Sequence, residues 1–235
     1  MALEGLGLDQ TSAAQQVANA LREFLLRGEI PPGAKLREIP LANALGVSRH
    51  TLRSGFRILE VEGLLEHALH RGVVVPELSD ERIADVFRAR KALEFAGIHA
   101  IGPDGGESAA MERMASAVDG IAKSRSAAEL SVADLEFHIA VVSAINSRMI
   151  SELYKNIQAQ LRLTHAWAQR SRGNRGEITD THRAVVTHLL EQRVDEAAEA
   201  LMDINALGER RLLEAMRKFK TPPESKSSVW PPEAE

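Results

Sequence analysis

Cysteine is absent from this 235-residue chain, and aromatic residues make up only 4% of it. Without cysteine the chain can form neither disulfides nor thiolate metal sites, which suits a reducing compartment such as the cytoplasm. The sequence also lacks any apolar run near the roughly 20 residues that a transmembrane helix needs. Residues 1–11 have neither the basic start nor the apolar core of a secretory signal. We therefore expect a cytoplasmic protein with no membrane partner.

A surplus of positive charge is missing as well. The formal net charge is -4, and residues 1–76 contain eight basic and eight acidic side chains. This balance argues against nonspecific binding of polyanions. Any binding of nucleic acid must therefore depend on where individual arginines lie.

The segment 41–63 has the pattern of a helix-turn-helix. Apolar residues recur at helical spacing on both sides of Gly46, namely Leu41, Ala42 and Leu45 before it and Leu52, Phe56 and Leu59 after it. Gly46 supplies the backbone freedom of the turn, and Ser48 stands where an N-cap would accept hydrogen bonds from backbone amides. The pattern predicts two short helices packed at an angle.

The second of these helices carries Arg49, Arg53 and Arg57 on one stripe. Arginines on a helix suit major-groove recognition, because they offer paired donors to guanine and charge to phosphate. The same stripe is also typical of an ordinary solvated helix face. What favours DNA is the following segment, where Arg71 and Gly72 lead into a β-branched strand and predict a hairpin. A hairpin after a recognition helix is the wing of a winged helix-turn-helix.

Strand signals almost disappear after residue 79, and helical periodicity replaces them. We predict helices at residues 80–101, 107–125, 131–145, 147–171, 177–192 and 194–219, whose short connections favour an antiparallel bundle. The predicted fold class is mainly α. A winged helix-turn-helix of three helices and a hairpin occupies residues 1–76, and an all-helical domain occupies 77–220. Residues 221–235, rich in Pro, Ser and Glu, are expected to be a disordered tail in which Trp230 could pack against something.

One pair of residues in the helical region suggests chemistry. Asp134 and His138 are one turn apart, so their side chains leave the same face of a helix. Leu135, Ile139 and Val142 form an apolar stripe nearby, which indicates that the pair faces inward. A buried carboxylate and imidazole need partners, and a divalent metal is one way to provide them. A capping or surface pair is the alternative that the spacing leaves open.

Several short motifs between residues 12 and 76 occur together in one protein family. They are Pro32-Gly33, Leu36-Arg-Glu38, Leu45-Gly46-Val47-Ser48-Arg49, Leu59-Glu60-x-Glu62-Gly63-Leu64 and Arg71-Gly72. In this combination they resemble the winged-helix domain of GntR-family bacterial transcription regulators. The resemblance implies contacts with DNA bases and phosphates at Arg37, Arg49, His50, Thr51, Arg53, Arg57, Arg71 and Gly72.

The sequence departs from the family pattern at a few of these positions. Ile39 stands where members often have a polar residue, so Arg37 would have to supply that phosphate contact. His50 and Thr51 replace the usual pair after the first arginine. Gly55 replaces a common alanine inside the recognition helix and costs about 1 kcal/mol of helix stability. These changes affect which operator is recognised more than whether DNA is bound.

A second set of motifs lies in the helical region. It comprises Arg90-x-x-Leu93-Glu94, Asp134-x-x-Phe137-His138, Asn146, Thr181-His182-Arg183-Ala184 and Ala197-Ala198-x-x-x-Met202-x-x-Asn205. These resemble the FCD-type effector domain of GntR regulators in the FadR subfamily. In that class an Asp and three His bind a divalent metal. The resemblance therefore implies a site made by Asp134, His138 and His182, with Asn205 in place of the third histidine.

The substitution at Asn205 changes what the implied site would bind. An amide oxygen is a poorer ligand than imidazole for zinc or nickel, so binding would be weaker, shift towards manganese, or be lost. The resemblance also implies a small carboxylate effector contacting nearby arginines, for which Arg90 and Arg162 are the candidates. Glu94 lies one turn from Arg90, so an ordinary surface ion pair is the alternative.

Taken together, the residues and the resemblance predict a ligand-responsive transcription regulator rather than an enzyme. A homodimer would place two recognition helices in successive major grooves of a near-palindromic double-stranded operator, and repression is expected from the family. The effector is expected to be a small organic acid. Two alternatives remain: a regulator for which the metal itself is the signal, and a helical metal-dependent hydrolase.

Overall fold

The computed structural model describes residues 12–77, 79–101, 108–167, 174–219 and 229–231. The chain divides into two compact units, one formed by Met1–Glu77 with Pro222–Glu235 and the other by Leu78–Thr221. We call them the head and the bundle. Within the described ranges, no helix combines the length and the apolar character that crossing a membrane requires.

Three helices of the head form the predicted helix-turn-helix and its support. They are α1 (Ala13–Leu26), α2 (Glu38–Leu45) and α3 (Arg49–Val61). Gly46 ends α2 with a left-handed backbone, φ 64°, which glycine adopts without strain. The Ser48 side chain accepts a hydrogen bond from the Thr51 amide and so begins α3, as predicted. The winged helix-turn-helix fold is confirmed.

The wing is larger than the hairpin predicted from the sequence. Strands β2 (Glu66–Ala68) and β3 (Gly72–Val74) form the hairpin, and β1 (Lys35–Leu36) pairs antiparallel with β3. A further strand, β4 (Val229–Trp230), pairs parallel with β1 and gives the order β2-β3-β1-β4. Two-residue strands carry too little periodic signal to be recognised in a sequence.

Strand β4 corrects the prediction of a disordered tail for part of its length. The amide of Arg37 donates to the carbonyl of Trp230 at 2.8 Å, and the Trp230 ring lies 5.7 Å from that of Phe24. An aromatic ring and a strand ladder therefore stabilise this short segment in spite of its polar surroundings. The remainder of the predicted tail, 221–228 and 232–235, lies outside the described residues.

Close contact between α1 and α3 explains one unusual residue of the recognition helix. A Cβ added at Gly55 would lie 2.6 Å from Val17 Cγ1 and 3.1 Å from the carbonyl oxygen of Ala14. Glycine therefore allows α3 to approach α1 closely at this point. Around it the core of the head contains Leu21, Leu25, Leu52, Phe56, Leu59 and Leu64.

The bundle contains the six predicted helices within its described residues. They are α4 (Asp80–Ile101), α5 (Ala109–Lys123), α6 (Ala127–Ser143), α7 (Arg148–Trp167), α8 (Arg175–Leu190) and α9 (Val194–Phe219). The predicted extension of α7 through residue 171 lies outside the described ranges. The mainly α fold class is confirmed.

Apolar side chains from five of these helices form the core of the bundle. They include Ile98, Met114, Phe137, Val141, Val185 and Leu201. Helix α5 packs on α6 and α8 packs on α9, each across a short connection, so these neighbours are antiparallel. Helix α4 contacts α6, α7 and α9. Polar side chains on the inward faces of these four helices are therefore brought together.

Candidate functional site

Polar residues inside the bundle are concentrated around one place. The buried ones among the described residues are Arg90, Glu94, Ser124, His138, Gln158, Thr164, Thr179, His182 and Asn205. Buried polar groups need partners, so a concentration of this kind calls for an explanation. Five of them, together with Asp134 and Tyr154, form two adjoining clusters. We call these the triad and the Glu94 cluster.

The triad consists of Asp134 and His138 from α6 and His182 from α8. One ligand atom from each residue lies within 4.8 Å of the others. His182 Nε2 is 3.2 Å from Asp134 Oδ1 and 3.4 Å from His138 Nε2, while His138 Nε2 is 3.9 Å from Asp134 Oδ1. The three predicted residues therefore meet, although two of them come from a helix that lies more than forty residues before the third.

The second nitrogen of each imidazole determines what the triad presents. His182 Nδ1 lies 2.7 Å from the carbonyl of Ile178, which can only accept, so Nδ1 carries the hydrogen. His138 Nδ1 lies 3.1 Å from Glu94 Oε2, in an ion-pair approach that is not aligned as an ideal hydrogen bond. The Nε2 atoms of the two rings lie close to each other and to the Asp134 carboxylate, so three possible ligand atoms converge on one place. Such a set suits a cation or a shared proton.

Electrostatics favour the metal-binding forms of two members of the triad, His138 and Asp134. Burial lowers the pKa of His138, and the charge of Arg90 lowers it further against the opposing pull of Glu94 and Asp134. Partial burial alone would raise the pKa of Asp134, but its hydrogen bond with His182 and the nearby imidazoles hold that pKa well below the usual range. The site therefore offers a neutral imidazole beside an ionised carboxylate. Metal ligation needs both forms.

The Glu94 cluster joins four helices through one buried carboxylate. Arg90 Nε of α4 donates to Glu94 Oε1 at 2.7 Å, and Asn205 Nδ2 of α9 donates to Glu94 Oε2 at 2.6 Å. The Tyr154 hydroxyl of α7 donates a short hydrogen bond to Glu94 Oε1, and His138 approaches from α6. Glu94 itself is 0% exposed. Its partners supply the donors that a buried charge needs.

The pKa directions in this cluster follow from the same contacts. Burial would raise the pKa of Glu94, but Arg90 and His138 outweigh it and hold the pKa well below the usual range. Burial would lower the pKa of Arg90, and the charge of Glu94 overcomes this and raises it. Burial and the Glu94 carboxylate raise the pKa of Tyr154, which therefore stays a donor. The cluster contains a buried ion pair surrounded by neutral groups.

The remaining predicted residues of the bundle differ in their burial and in their partners. Asn205 is buried, and its Nδ2 is used by Glu94, while its Oδ1 has no hydrogen-bond partner among the described residues. Arg90 is buried rather than at the surface, and it has an acidic partner. Arg162 is exposed, whereas Tyr154 on the same helix is buried. This exposure argues against Arg162 as a contact for an effector held inside the bundle.

In the head, the predicted recognition residues form an exposed surface on α3. Arg49, His50, Arg53 and Arg57 are exposed, and Thr51 is half-buried beside the Ser48 cap. A concavity of about 250 Å³ lies between α3 and the wing and is lined by Glu38, Arg53, Phe56, Arg57, Glu60, His67 and Val73. The arginine stripe therefore borders a recess next to the wing.

The predicted contacts outside α3 lie in the wing and immediately before α2. Arg71 is in the turn between β2 and β3, and Gly72, with φ 79°, begins β3. Arg71 Nη2 donates to the carbonyl of Gly33 at 2.8 Å, so the side chain lies back along the sheet. Arg37 is the residue immediately before α2. An arginine at the wing would have to leave the Gly33 carbonyl to reach a groove of DNA.

No site role was assigned from the sequence to three residues that organise these sites. Glu38 contacts Arg53 and Arg49 in the head, while Glu94 and Tyr154 surround Arg90 in the bundle. The i, i+4 spacing of Arg90 and Glu94 was a signal for their pairing, although not for its burial. Nothing local in the sequence connects Glu38 to residues 11 and 15 positions further on.

Comparisons with known proteins agree with this arrangement. The family described as Bacterial regulatory proteins, gntR family, matches residues 13–75, and the FCD domain matches residues 85–206. A crystal structure of a GntR protein from Rhodococcus sp. RHA1 is similar at 30% identity with a TM-score of 0.72. That alignment covers 86% of this chain and 98% of the other.

Curated relatives are similar over shorter lengths. The Probable D-xylose utilization operon transcriptional repressor of Paenarthrobacter nicotinovorans is 36% identical over 87 residues, which are 37% of this chain and 38% of that protein. The Gluconate operon transcriptional repressor of Bacillus licheniformis is 28% identical over 158 residues, 64% of this chain and 63% of that protein. The matches thus span less than two thirds of these relatives.

The relatives that these comparisons name are regulators and not enzymes, which leaves the hydrolase alternative without support. Both matched regions coincide with the units seen in the structure. The chain therefore belongs to the GntR family of bacterial regulatory proteins, with an FCD domain following the DNA-binding region that the family shares.

Proposed function

We propose that this chain is a transcription repressor that binds operator DNA through its head and a small carboxylate through its bundle. The observation that supports DNA binding most directly is the exposed stripe of Arg49, Arg53 and Arg57 on α3, beside a wing. These arginines would contact bases and phosphates in the major groove. A homodimer would place two such helices on a near-palindromic operator. The names of the relatives make repression the expected sign.

A divalent metal held by Asp134, His138 and His182 is the proposed anchor for the effector. The convergent Nε2 atoms of the two imidazoles and the ionised carboxylate fit such an ion. When bound, the metal would supply an open coordination position for a carboxylate oxygen. The unpartnered Oδ1 of Asn205 is the atom that would serve as a further ligand. Two nitrogen ligands with oxygen donors suit zinc, nickel or manganese.

Arg90 would orient the carboxylate of the effector. Its Nε is used by Glu94, while neither Nη atom has a hydrogen-bond partner among the described residues. The guanidinium can therefore keep its internal pair and still offer a donor edge to a ligand. Burial beside Phe87 strengthens such a bond, because water competes less there.

The Glu94 cluster would couple binding of the ligand to the arrangement of the helices. Glu94 connects α4, α6, α7 and α9, and α4 is the helix that directly follows the head in the sequence. A ligand that prefers one arrangement of these helices shifts the population toward it, by no more than its differential affinity for the two arrangements. DNA affinity would change to the same extent.

The test of DNA binding uses a duplex selected from a random-sequence library by the wild-type protein. Arg49→Ala should weaken binding to it by roughly 5- to 150-fold, because a good arginine–guanine pair contributes about 1–3 kcal/mol. Arg27→Ala is the matched control, since Arg27 is also an exposed arginine of the head but lies at the end of α1. Equal losses in both variants, or selection of no preferred duplex, would argue against the proposal.

The test of the metal site is a gain of function at Asn205. Asn205→His restores the histidine expected from the family resemblance and should tighten zinc binding, measured by competition with a chromophoric chelator. Asp134→Ala should weaken it. If Asn205→His leaves zinc affinity unchanged while Asp134→Ala abolishes it, the triad binds metal without Asn205. No zinc binding by any variant leaves the shared-proton explanation of the triad.

A regulator that senses the metal itself is the second candidate. It is favoured by the completeness of the triad, whose three ligand atoms meet without any contribution from an effector. Zinc or manganese alone would then change operator affinity. Under the first proposal, metal alone has little effect and a carboxylate together with metal has a large one.

A further inference from the structure

Glu38 occupies a position in the head that the proposed contacts with DNA do not require. Its carboxylate lies 3.0 and 2.9 Å from Arg53 Nε through its two oxygens, and 3.4 Å from Arg49 Nη2. The Glu38 side chain is 24% exposed, whereas those of Arg53 and Arg49 are 58% and 59% exposed. One half-buried anion therefore touches two exposed cations of the proposed recognition surface.

The location of Glu38 makes its carboxylate a fixed point. Glu38 is the first residue of α2, where its charge is favoured by the positive end of the helix dipole. The residue before it, Arg37, provides no side-chain cap. Because α2 packs against α3, the carboxylate has a defined position relative to the arginine stripe.

The contact with Glu38 leaves the two terminal nitrogens of Arg53 available for contact with a base. The hydrogen bonds use Nε alone, and neither Nη1 nor Nη2 of Arg53 has a hydrogen-bond partner among the described residues. A guanidinium held by one edge loses its freedom to rotate, while its two terminal nitrogens still form the fork that matches O6 and N7 of guanine. A guanidinium that Glu38 already orients loses less conformational entropy on binding a base than an unrestrained side chain does.

We infer that Glu38 is a specificity-determining residue that positions Arg53 for base recognition. The inference rests on the proposed DNA-binding function. Glu38 carries the same sign of charge as the phosphates, so it should lower affinity for DNA of any sequence. Its contribution is therefore to discrimination, and it acts through Arg53 rather than by contact with the operator.

The experiment compares base preferences, position by position, in the duplex selected from a random library by the wild-type protein. Each base pair is replaced in turn, and binding is measured for wild type, Arg53→Ala and Glu38→Ala. Arg53→Ala identifies the positions that Arg53 reads. Glu38→Ala should reduce preference at those positions and no others, by at least about fivefold where a bidentate pair is made. Its affinity for random-sequence duplex should stay equal or rise.

Glu60→Ala is the matched control for charge. Glu60 lines the same recess, but the ion pairs of Arg49 and Arg53 involve Glu38. It should change selected and random duplexes by the same factor. Glu38→Gln keeps the size of the side chain and one acceptor for Nε, so it should fall between wild type and Glu38→Ala. It also serves as the test variant if the alanine variant does not fold by circular dichroism.

Three results overturn the inference, and they can be distinguished. If wild type discriminates between bases and Glu38→Ala binds selected and random duplexes more tightly by one common factor, then Glu38 acts only as a charge. If Glu38→Ala keeps the base preferences of the wild-type protein at the positions that Arg53 reads, Glu38 does not position Arg53. If wild type shows no preference at any position, the proposed DNA-binding function fails, and the inference fails with it.

Discussion

The head and the bundle each contain an arginine whose Nε is bonded to a glutamate carboxylate, but the two pairs lie in different surroundings. We call Arg53 with Glu38 the surface pair and Arg90 with Glu94 the buried pair. Their distances are similar, 2.9 and 2.7 Å. The side chains of the surface pair are 58% and 24% exposed, and those of the buried pair are 9% and 0% exposed. The same type of ion pair is therefore exposed to solvent in the head and shielded from solvent in the bundle.

This difference teaches that geometry alone does not say what an ion pair does. At the surface, solvent screening leaves a pair worth little to stability, so its value lies in orienting a side chain. Inside the bundle, either partner alone would be an unpaired buried charge, so the pair is obligatory for the fold. Among the described residues, the Nη atoms of Arg53 and Arg90 have no hydrogen-bond partner.

Two tryptophans allow the units to be followed separately. Trp167 is buried in α7 of the bundle, and Trp230 lies in β4 of the head. Fluorescence of a Trp230→Phe protein therefore reports unfolding of the bundle, and that of a Trp167→Phe protein reports unfolding of the head. The separation matters because a chain with two units need not unfold in one step.

The largest effect that separates the two pairs is expected from removing each glutamate. Glu94→Ala should lower the free energy of unfolding of the bundle by about 3–5 kcal/mol, because it leaves the Arg90 charge buried without a partner. Glu38→Ala should cost the head less than about 1 kcal/mol. Urea unfolding, followed by the tryptophan of each unit, measures both.

A double variant distinguishes the lost charge partner from lost packing in the bundle. Arg90→Met combined with Glu94→Gln should recover much of the stability lost in Glu94→Ala, since no buried charge remains in the pair. If the double variant is no more stable than Glu94→Ala, the loss arises from packing and not from the unpaired charge of Arg90.

An intermediate difference in stability is expected when the glycines at helix–helix contacts of the two units are replaced by alanine. A Cβ at Gly97 would lie 2.5 Å from the backbone oxygen of Val141, which cannot move without shifting α6. Gly97→Ala should therefore cost the bundle about 1–3 kcal/mol. In the head, a Cβ at Gly55 would lie 2.6 Å from Val17 Cγ1, 3.0 Å from Val17 Cβ and 3.1 Å from the backbone oxygen of Ala14, but alanine recovers about 1 kcal/mol of helix propensity.

Gly55→Ala should therefore destabilise the head, but by less than Gly97→Ala destabilises the bundle. Chemical unfolding of both variants measures the two losses in the free energy of unfolding. A greater loss for Gly55→Ala than for Gly97→Ala would show that α1 and α3 are the more tightly constrained helices.

The smallest effect concerns the strand that the sequence did not predict. Trp230→Ala should destabilise the head by about 1 kcal/mol, because it removes an aromatic pair with Phe24 at the edge of the sheet. Calorimetry should show a lower transition temperature for the head and no change for the bundle. Val229→Ala, at a position 38% exposed, should have a smaller effect. An equal shift of both transitions would mean that β4 does not belong to the head alone.

Features encoded by local spacing could be predicted from the sequence. The cap at Ser48, the turn at Gly46 and the shared face of Asp134 and His138 all involve residues within one or two turns of each other. His182 was reached only through the family resemblance, because nothing local links α6 to α8. The structure then brings it to the other two.

What could not be predicted depends on contacts between distant elements. Arg90 and Glu94 were recognisable as a possible pair, but their burial depends on α6, α7 and α9 covering α4. The pairing of Trp230 with Leu36 joins segments almost two hundred residues apart. Exposure of Arg162 follows from the exact rotation of α7, which an uncertain helix boundary does not define.

The most direct measurement of the account applies two assays to two arginine variants. Arg53→Lys and Arg90→Lys keep the positive charge but lose the planar fork. Each is tested for discrimination between the selected and a random duplex, and for thermal stabilisation by small carboxylates with zinc present. The account predicts a crossed result. Arg53→Lys loses discrimination and keeps the response to carboxylate, whereas Arg90→Lys keeps discrimination and loses the response. Loss of both properties in both variants, or of neither in either, would contradict it.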